Sequence, residues 1–214
     1  MFGLAALAAL ASMAFLGAGT ASAEGIAICE ENALPCPENK LVSLIHAELE
    51  AGTVGQLLSS LATILCLNVL AEAHAEGPLL HATTLNAIIL ATFTGCGSNG
   101  AHSNCTVKTL ENGLAELTKT GTNLGVISGT SGEEPGVVNL QCTILGFPVN
   151  CDYSGAELAF PVEGAGHTEG AGNGRLVANK TPAKLTEALG GLFCPENSTL
   201  DAKLVASEAI YITG

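Results

Sequence analysis

The sequence lacks tryptophan and has only two tyrosines and six phenylalanines. Carbohydrate sites commonly stack sugar rings on aromatic faces, so this composition argues against a glycan-processing site. Aspartate occurs only at Asp152 and Asp201, which excludes an EF-hand and makes Asp-dense calcium loops unsuitable. The chain therefore does not carry the residues that these two classes of site require.

Basic residues are also scarce, because seven Lys and Arg stand against twenty Asp and Glu, giving a formal net charge of -13. A nucleic-acid binder needs clustered Lys and Arg to neutralise phosphates. A disordered chain combines net charge with low hydrophobicity, whereas 48% of these residues are hydrophobic. The composition thus predicts a folded domain that does not bind nucleic acid.

Recognisable catalytic motifs are missing as well. There is no Gly-x-Ser-x-Gly nucleophile elbow, no His-Glu-x-x-His, no Walker A loop and no dinucleotide-binding glycine motif. No Cys-x-x-Cys is present to build a zinc or thioredoxin-like redox site. These absences predict a protein that is not an enzyme and that has no catalytic residue, cofactor or bound metal.

An export signal is predicted at residues 1–23. This segment has no charged side chain, is apolar from Phe2 to Leu16, and ends in Ala21-Ser22-Ala23, the small-x-small pattern that signal peptidase cleaves. It has no basic residue near its start, and an uncleaved anchor is the alternative. We expect an extracellular mature chain, 24–214, without a membrane span.

Eight cysteines follow this segment, and an even number in an exported chain predicts disulfides. Pairing nearest neighbours closes short loops and leaves two distant cysteines to pair by elimination. The predicted pairs are Cys29–Cys36, Cys96–Cys105, Cys142–Cys151 and Cys66–Cys194.

The mature chain shows short runs of alternating polar and apolar residues separated by Gly, Asn, Ser and Pro, which is typical of strands. Residues 65–76 and 85–95 alternate in this way and predict a hairpin. The apolar face of the first run is formed by Leu65, Leu67, Val69, Ala71, Ala73 and Ala75, and that of the second by Leu85, Ala87, Ile89, Ala91 and Phe93. Residues 44–52 alternate too, although Ala, Glu and Leu also suit a short helix. About a dozen such strands predict an all-β fold, an antiparallel β-sandwich-like single domain over 24–214 stabilised by disulfides.

Three local details complete the expected architecture. Asn112-Gly113 suits a two-residue type I′ hairpin turn. Gly146-Phe147 as the centre of a type II′ turn would place Cys142 opposite Cys151. The segment TPAKLTEAL (181–189) is the one place after residue 60 where the sequence allows a helical turn.

One polar face carries residue types that bind metals. His46, Glu48 and Glu50 share a side of one extended run, and Glu72, His74 and Glu76 share a side of another. If the two strands pair, imidazole and carboxylate groups could bind Zn²⁺ or a similar ion. The preferred interpretation is a solvated sheet face without metal, because exposed charges are normal on the outer face of a sheet.

Cysteine and glycine spacing gives the chain one resemblance. It rests on Cys29-x6-Cys36, Cys142-x8-Cys151, FTGC (93–96), CTV (105–107), GGLFCP (190–195), and the final pair LDAKLVAS and AIYITG. On these segments the chain resembles uncharacterised secreted, cysteine-containing β-rich proteins of actinobacteria. The resemblance implies an exported β-rich module with no assigned activity, ligand or catalytic residue.

The function expected from the sequence is that of a secreted or cell-surface, non-catalytic structural or interaction module, with a cell-surface or protein partner of unknown identity. The first alternative is an extracellular protein that binds an apolar small molecule, suggested by the aliphatic runs at 57–70 and 79–93. An enzyme with an unfamiliar site is the second alternative.

Overall fold

The computed structural model describes residues 25–58, 63–76, 79, 83–98, 104–129, 135–154, 159–167, 172–188, 194 and 196–214. The predicted signal peptide, residues 1–23, lies outside these ranges. The described chain is almost entirely β-structure, apart from one 3-10 turn at Glu38–Lys40. Its strands are β1 (Ala27–Cys29), β2 (Leu44–Leu49), β3 (Gly55–Leu58), β4 (Thr63–Glu76), β5 (Leu85–Ser98), β6 (Cys105–Gly121), β7 (Leu124–Gly129), β8 (Pro135–Ile144), β9 (Phe147–Ser154), β10 (Ala159–Glu163), β11 (Arg175–Ala188), β12 (Asn197–Ala206) and β13 (Tyr211–Thr213).

Eleven of the described strands form one sheet that closes on itself, so the all-β prediction is confirmed and the sandwich is wrong. Around the ring, β4, β5, β6, β11 and β12 each fill one position. The pairs β2 with β3, β7 with β8, and β10 with β9 each fill one further position. Both β2 and β3 pair with β12 and β4, both β7 and β8 pair with β6, and both β10 and β9 pair with β11, while β7 pairs with β10 and β8 with β9 between the last two positions. The result is an eight-stranded antiparallel barrel. The barrel closes where β2 and β3, which come early in the chain, pair with β12, which comes near its end.

The predicted hairpin is confirmed, since β4 and β5 pair from Ile64 with Ser98 to Glu76 with Asn86. Inward positions differ from the prediction on part of β4. Ile64 and Cys66 point to the interior instead of Leu65 and Leu67, and Leu67 is 47% exposed. The alternation changes phase where Gly95, with φ +64°, lies against the Leu67 side chain. A local irregularity in both strands therefore shifts the inward face by one residue.

Long-range pairing overrides short-range preference at the predicted Asn112-Gly113 turn, and that prediction is wrong. Strand β6 runs straight through Asn112-Gly113, since its two halves pair with β8 and β7 in turn. Strand β11 extends through 181–188, so the helical turn that the sequence allowed there does not form. Residues 44–49 form strand β2, which confirms the predicted strand and not its helical alternative.

All eight cysteines lie in the described residues and form four disulfides: Cys29–Cys36, Cys66–Cys96, Cys105–Cys142 and Cys151–Cys194. The first was predicted, and the other three pairings correct the prediction. Leu145 and Gly146 form the β8–β9 turn, so Cys142 lies opposite Val149 instead of Cys151. Cys66 faces Cys96 on β5, and Cys142 faces Cys105 on β6. Four disulfides are typical of a protein from an oxidising, extracellular environment.

No helix in the described residues is long and apolar enough to cross a membrane.

Candidate functional site

The interior of the barrel contains an apolar cavity of about 230 Å³. Eight strands enclose a space that side chains just fill, or that holds one small ligand. Inward residues from β3 to β12 line it, including Leu57, Val69, Ala71, Ile89, Ala91, Phe93, Val107, Ile127, Leu140, Phe160, Leu176, Ala178 and Leu204. The cavity is therefore formed by the wall of the barrel itself.

Small residues at inward positions leave this space open. Gly55, Ala71, Ala91, Gly113, Ala115, Gly129, Ala178 and Ala202 all line the cavity. On β5, Ile89, Ala91 and Phe93 keep intermediate solvent exposure although they point inward, because the cavity leaves part of each side chain uncovered. Close-packed interiors have few voids larger than a water molecule. An unfilled apolar space of this size is therefore an unusual feature of the molecule.

The polar side chains at the cavity wall are few: Gln56, Thr109, Tyr153 and Ser154. The Thr109 hydroxyl donates to the Ala91 carbonyl. The Ser198 hydroxyl lies 3.5 Å from the Tyr153 hydroxyl and donates to it, and burial raises the pKa of Tyr153 while this contact opposes the rise. Among the described lining residues none is charged. The wall thus suits an uncharged, apolar molecule and offers no pair of carboxylates for acid–base chemistry.

A two-stranded sheet of β1 and β13 lies at one end of the barrel. Its Ile28 and Ile212 pack with Leu85, Leu117 and Val162 in a second buried cluster. Asn123, in the β6–β7 turn, accepts a hydrogen bond from the Ile212 N–H at 2.9 Å and donates to the Ala165 carbonyl at 2.9 Å. This end is therefore attached to the barrel by specific polar contacts as well as apolar packing.

Three of the disulfides connect strands at a buried cluster that is distinct from the cluster containing Ile28 and Ile212. Cys66–Cys96 and Cys105–Cys142 join directly opposed residues of neighbouring strands, and Cys151–Cys194 ties β9 to the segment before β12. All six sulfur-bearing side chains belong to the same buried cluster as Leu140, Tyr153 and Leu204. Cross-links at this position restrict separation of the strands that enclose the cavity.

No family model, curated protein or solved structure matches this chain. The resemblance to secreted actinobacterial proteins therefore stays a prediction.

Five of the six residues of the predicted polar face lie on the paired strands β2 and β4, and Glu50 directly follows β2. His46 is opposite Glu72 on β4, and the His46 Nδ1 atom is 3.1 Å from a Glu72 carboxylate oxygen. Glu50 turns to another partner, because Arg175 donates to both of its carboxylate oxygens at 2.8 and 2.9 Å. In the described part of the chain no group of three His, Cys, Asp or Glu side chains is arranged to hold a metal ion.

We predict that His46→Ala and His74→Ala each change the free energy of unfolding by less than about 1 kcal/mol, since partly exposed ion pairs contribute little. The two side chains of the His46–Glu72 pair are 45% and 28% exposed. Denaturant unfolding of both variants, with elemental analysis of the purified protein, checks this. About one transition-metal ion per chain, lost in the double variant, would contradict the prediction and point to a metal site.

The sequence suggested binding of an apolar molecule only as the first alternative and assigned no residue to a site, although one signal for the cavity was present. Leu85, Ala87, Ile89, Ala91 and Phe93 were correctly placed on one face of β5. Large and small residues alternate along that face, which leaves room between the larger side chains. The sequence gives no indication that the same face is curved around a closed interior.

Proposed function

We propose that this chain is an exported, non-catalytic binding protein that holds one small, uncharged, apolar molecule inside its barrel. The observation that supports this proposal is the cavity of about 230 Å³ with an almost wholly aliphatic wall. Apolar protein cavities of this order stay dry and accept apolar guests, because water has no polar partners there. The proposal replaces the general structural module expected from the sequence with its first alternative.

Three further features fit such a role. The apolar wall, with few polar and no charged side chains among its described residues, favours selection by size and shape over selection by charge. Four disulfides suit a protein that works outside the cell, where the predicted signal peptide at residues 1–23 would deliver it. The described wall has no charged group to act as acid, base or nucleophile, which favours binding over catalysis.

A cavity-filling substitution tests the proposal. Ala91→Phe places a benzyl group in the space that a ligand would occupy, and we expect it to weaken binding of N-phenyl-1-naphthylamine, a neutral apolar fluorophore, by at least about tenfold, equivalent to about 1.4 kcal/mol. The wild-type protein should enhance the fluorescence of this probe in a saturable way, with one site per chain. The binding curve measures both quantities.

Thr92→Phe is the matched control, because Thr92 is the next residue on β5 and its side chain is exposed on the outer face. This variant should bind the probe as the wild type does. Thermal unfolding of both variants confirms that each is folded. Absence of saturable binding by the wild type, or equal binding by Ala91→Phe, would refute the proposed function.

A further inference from the structure

The tip of the β8–β9 hairpin presents two large apolar side chains to solvent. Leu145 is 83% exposed and Phe147 is 60% exposed, and Leu145 is the most exposed of the large hydrophobic residues in the described chain. Exposure of apolar surface to water is unfavourable, in proportion to the area exposed. Packing within the barrel therefore does not account for a leucine at position 145.

The backbone at the tip does not account for it either. Ile144 pairs with Phe147, so Leu145 and Gly146 are the two central residues of the turn, with φ +53° and +84°. Positive φ at both central residues favours Asn-Gly or Gly-Gly, and a leucine in the left-handed region is disfavoured by its Cβ. A residue that suits neither the turn nor the solvent points to a role outside folding.

The hairpin has no charged residue apart from Asp152, which lies near its base, although the protein is acidic. Residues 135–151 contain no Asp, Glu, Lys, Arg or His, whereas the whole chain has a formal net charge of -13. Backbone pairing continues from Val137 with Ser154 to Ile144 with Phe147. The tip can therefore enter an apolar layer while exposing few unpaired backbone groups, which is the condition for placing a polypeptide there.

We propose that Leu145 and Phe147 insert into the surface of an uncharged, zwitterionic lipid layer and attach the protein there reversibly. A stable protein interface needs about 800 Å² from each partner, more than two side chains at a hairpin tip supply. An anionic lipid surface would repel a chain of charge -13. Contact with a zwitterionic surface needs no basic residues, and its strength scales with the apolar area buried, so two side chains suit a weak and reversible attachment. This attachment does not depend on the cavity.

Flotation of the full chain with phosphatidylcholine vesicles tests the attachment. We expect wild-type protein to float with the vesicles, and Leu145→Asn to need at least about tenfold more lipid for half-maximal binding, because the variant loses the most exposed apolar group. Asparagine suits the left-handed turn position, so the variant should unfold at the same temperature as wild type or higher. Loss of binding together with undiminished stability separates lipid contact from a structural role.

Two further measurements complete the test. Leu34→Asn is the matched control, because Leu34 is 61% exposed in the loop closed by the Cys29–Cys36 disulfide, and it should float as wild type does. Phe147→Trp introduces the chain's first tryptophan, whose emission should shift to shorter wavelength when vesicles are added. Equal flotation of Leu145→Asn and wild type, or flotation only with anionic vesicles, would overturn the proposal. The proposal would also be overturned if the wild-type protein does not float with vesicles but forms a dimer that Leu145→Asn abolishes.

Discussion

Replacing both cysteines of the Cys151–Cys194 disulfide with alanine is expected to lower the free energy of unfolding by about 4 kcal/mol. This disulfide closes the longest loop of the four, with a sequence separation of 43 residues. A cross-link stabilises mainly by restricting the unfolded chain, and the restriction grows with the length of the closed loop. Both cysteines are buried, so their loss also removes packing beside Tyr153.

The Cys29–Cys36 disulfide provides the comparison, because its cysteines are equally buried and its sequence separation is only 7 residues. Its removal should cost about 2.5 kcal/mol on the same loop-length relation. Denaturant unfolding of the two double-alanine variants measures the difference. Non-reducing peptide mapping checks the pairing itself. A peptide linking Cys142 to Cys151, or a larger loss from the short loop, would contradict the expected result.

Asn123→Ala is expected to destabilise the protein by about 3 kcal/mol, from two lost hydrogen bonds and a left-handed backbone position. Asn123 has φ +57°, a conformation that asparagine adopts far more readily than alanine. Its side chain also joins the β6–β7 turn to Ile212 and Ala165. Ile212 is 2% exposed, so its N–H would lose its partner away from water.

Two other substitutions at the same position separate these causes. Asn123→Gly keeps the backbone conformation accessible and should cost about 2 kcal/mol, the part due to the hydrogen bonds. Asn123→Asp keeps the acceptor for the Ile212 N–H and loses only the donor to Ala165. Hydrogen exchange at the Ile212 amide should be fastest in the alanine and glycine variants. Equal stability of Asn123→Ala and wild type would show that β13 is held by apolar packing alone.

The sequence by itself determined the type of secondary structure, because alternation records burial on one side of a strand. The inward set of β5 from Leu85 to Phe93 follows directly from this pattern, and so does the pairing of β5 with β4. The even number of cysteines, in a chain whose sequence predicts an export signal, likewise predicted that they form disulfides, which all eight do. These features depend on residues that are close together along the chain, and the sequence shows such residues directly.

Only the tertiary structure decided the closed barrel, three of the four disulfides and the cavity. A strand with one buried face has the same alternation in a sandwich and in a barrel, and the pairing of β12 with β2 and β3 distinguishes them. The partners of Cys66 and Cys142 depend on strand register, which the Leu145-Gly146 turn and long-range pairing set. The cavity arises because alanines and glycines from separate strands meet around one axis. The space that these small residues leave forms only once the sheet has closed.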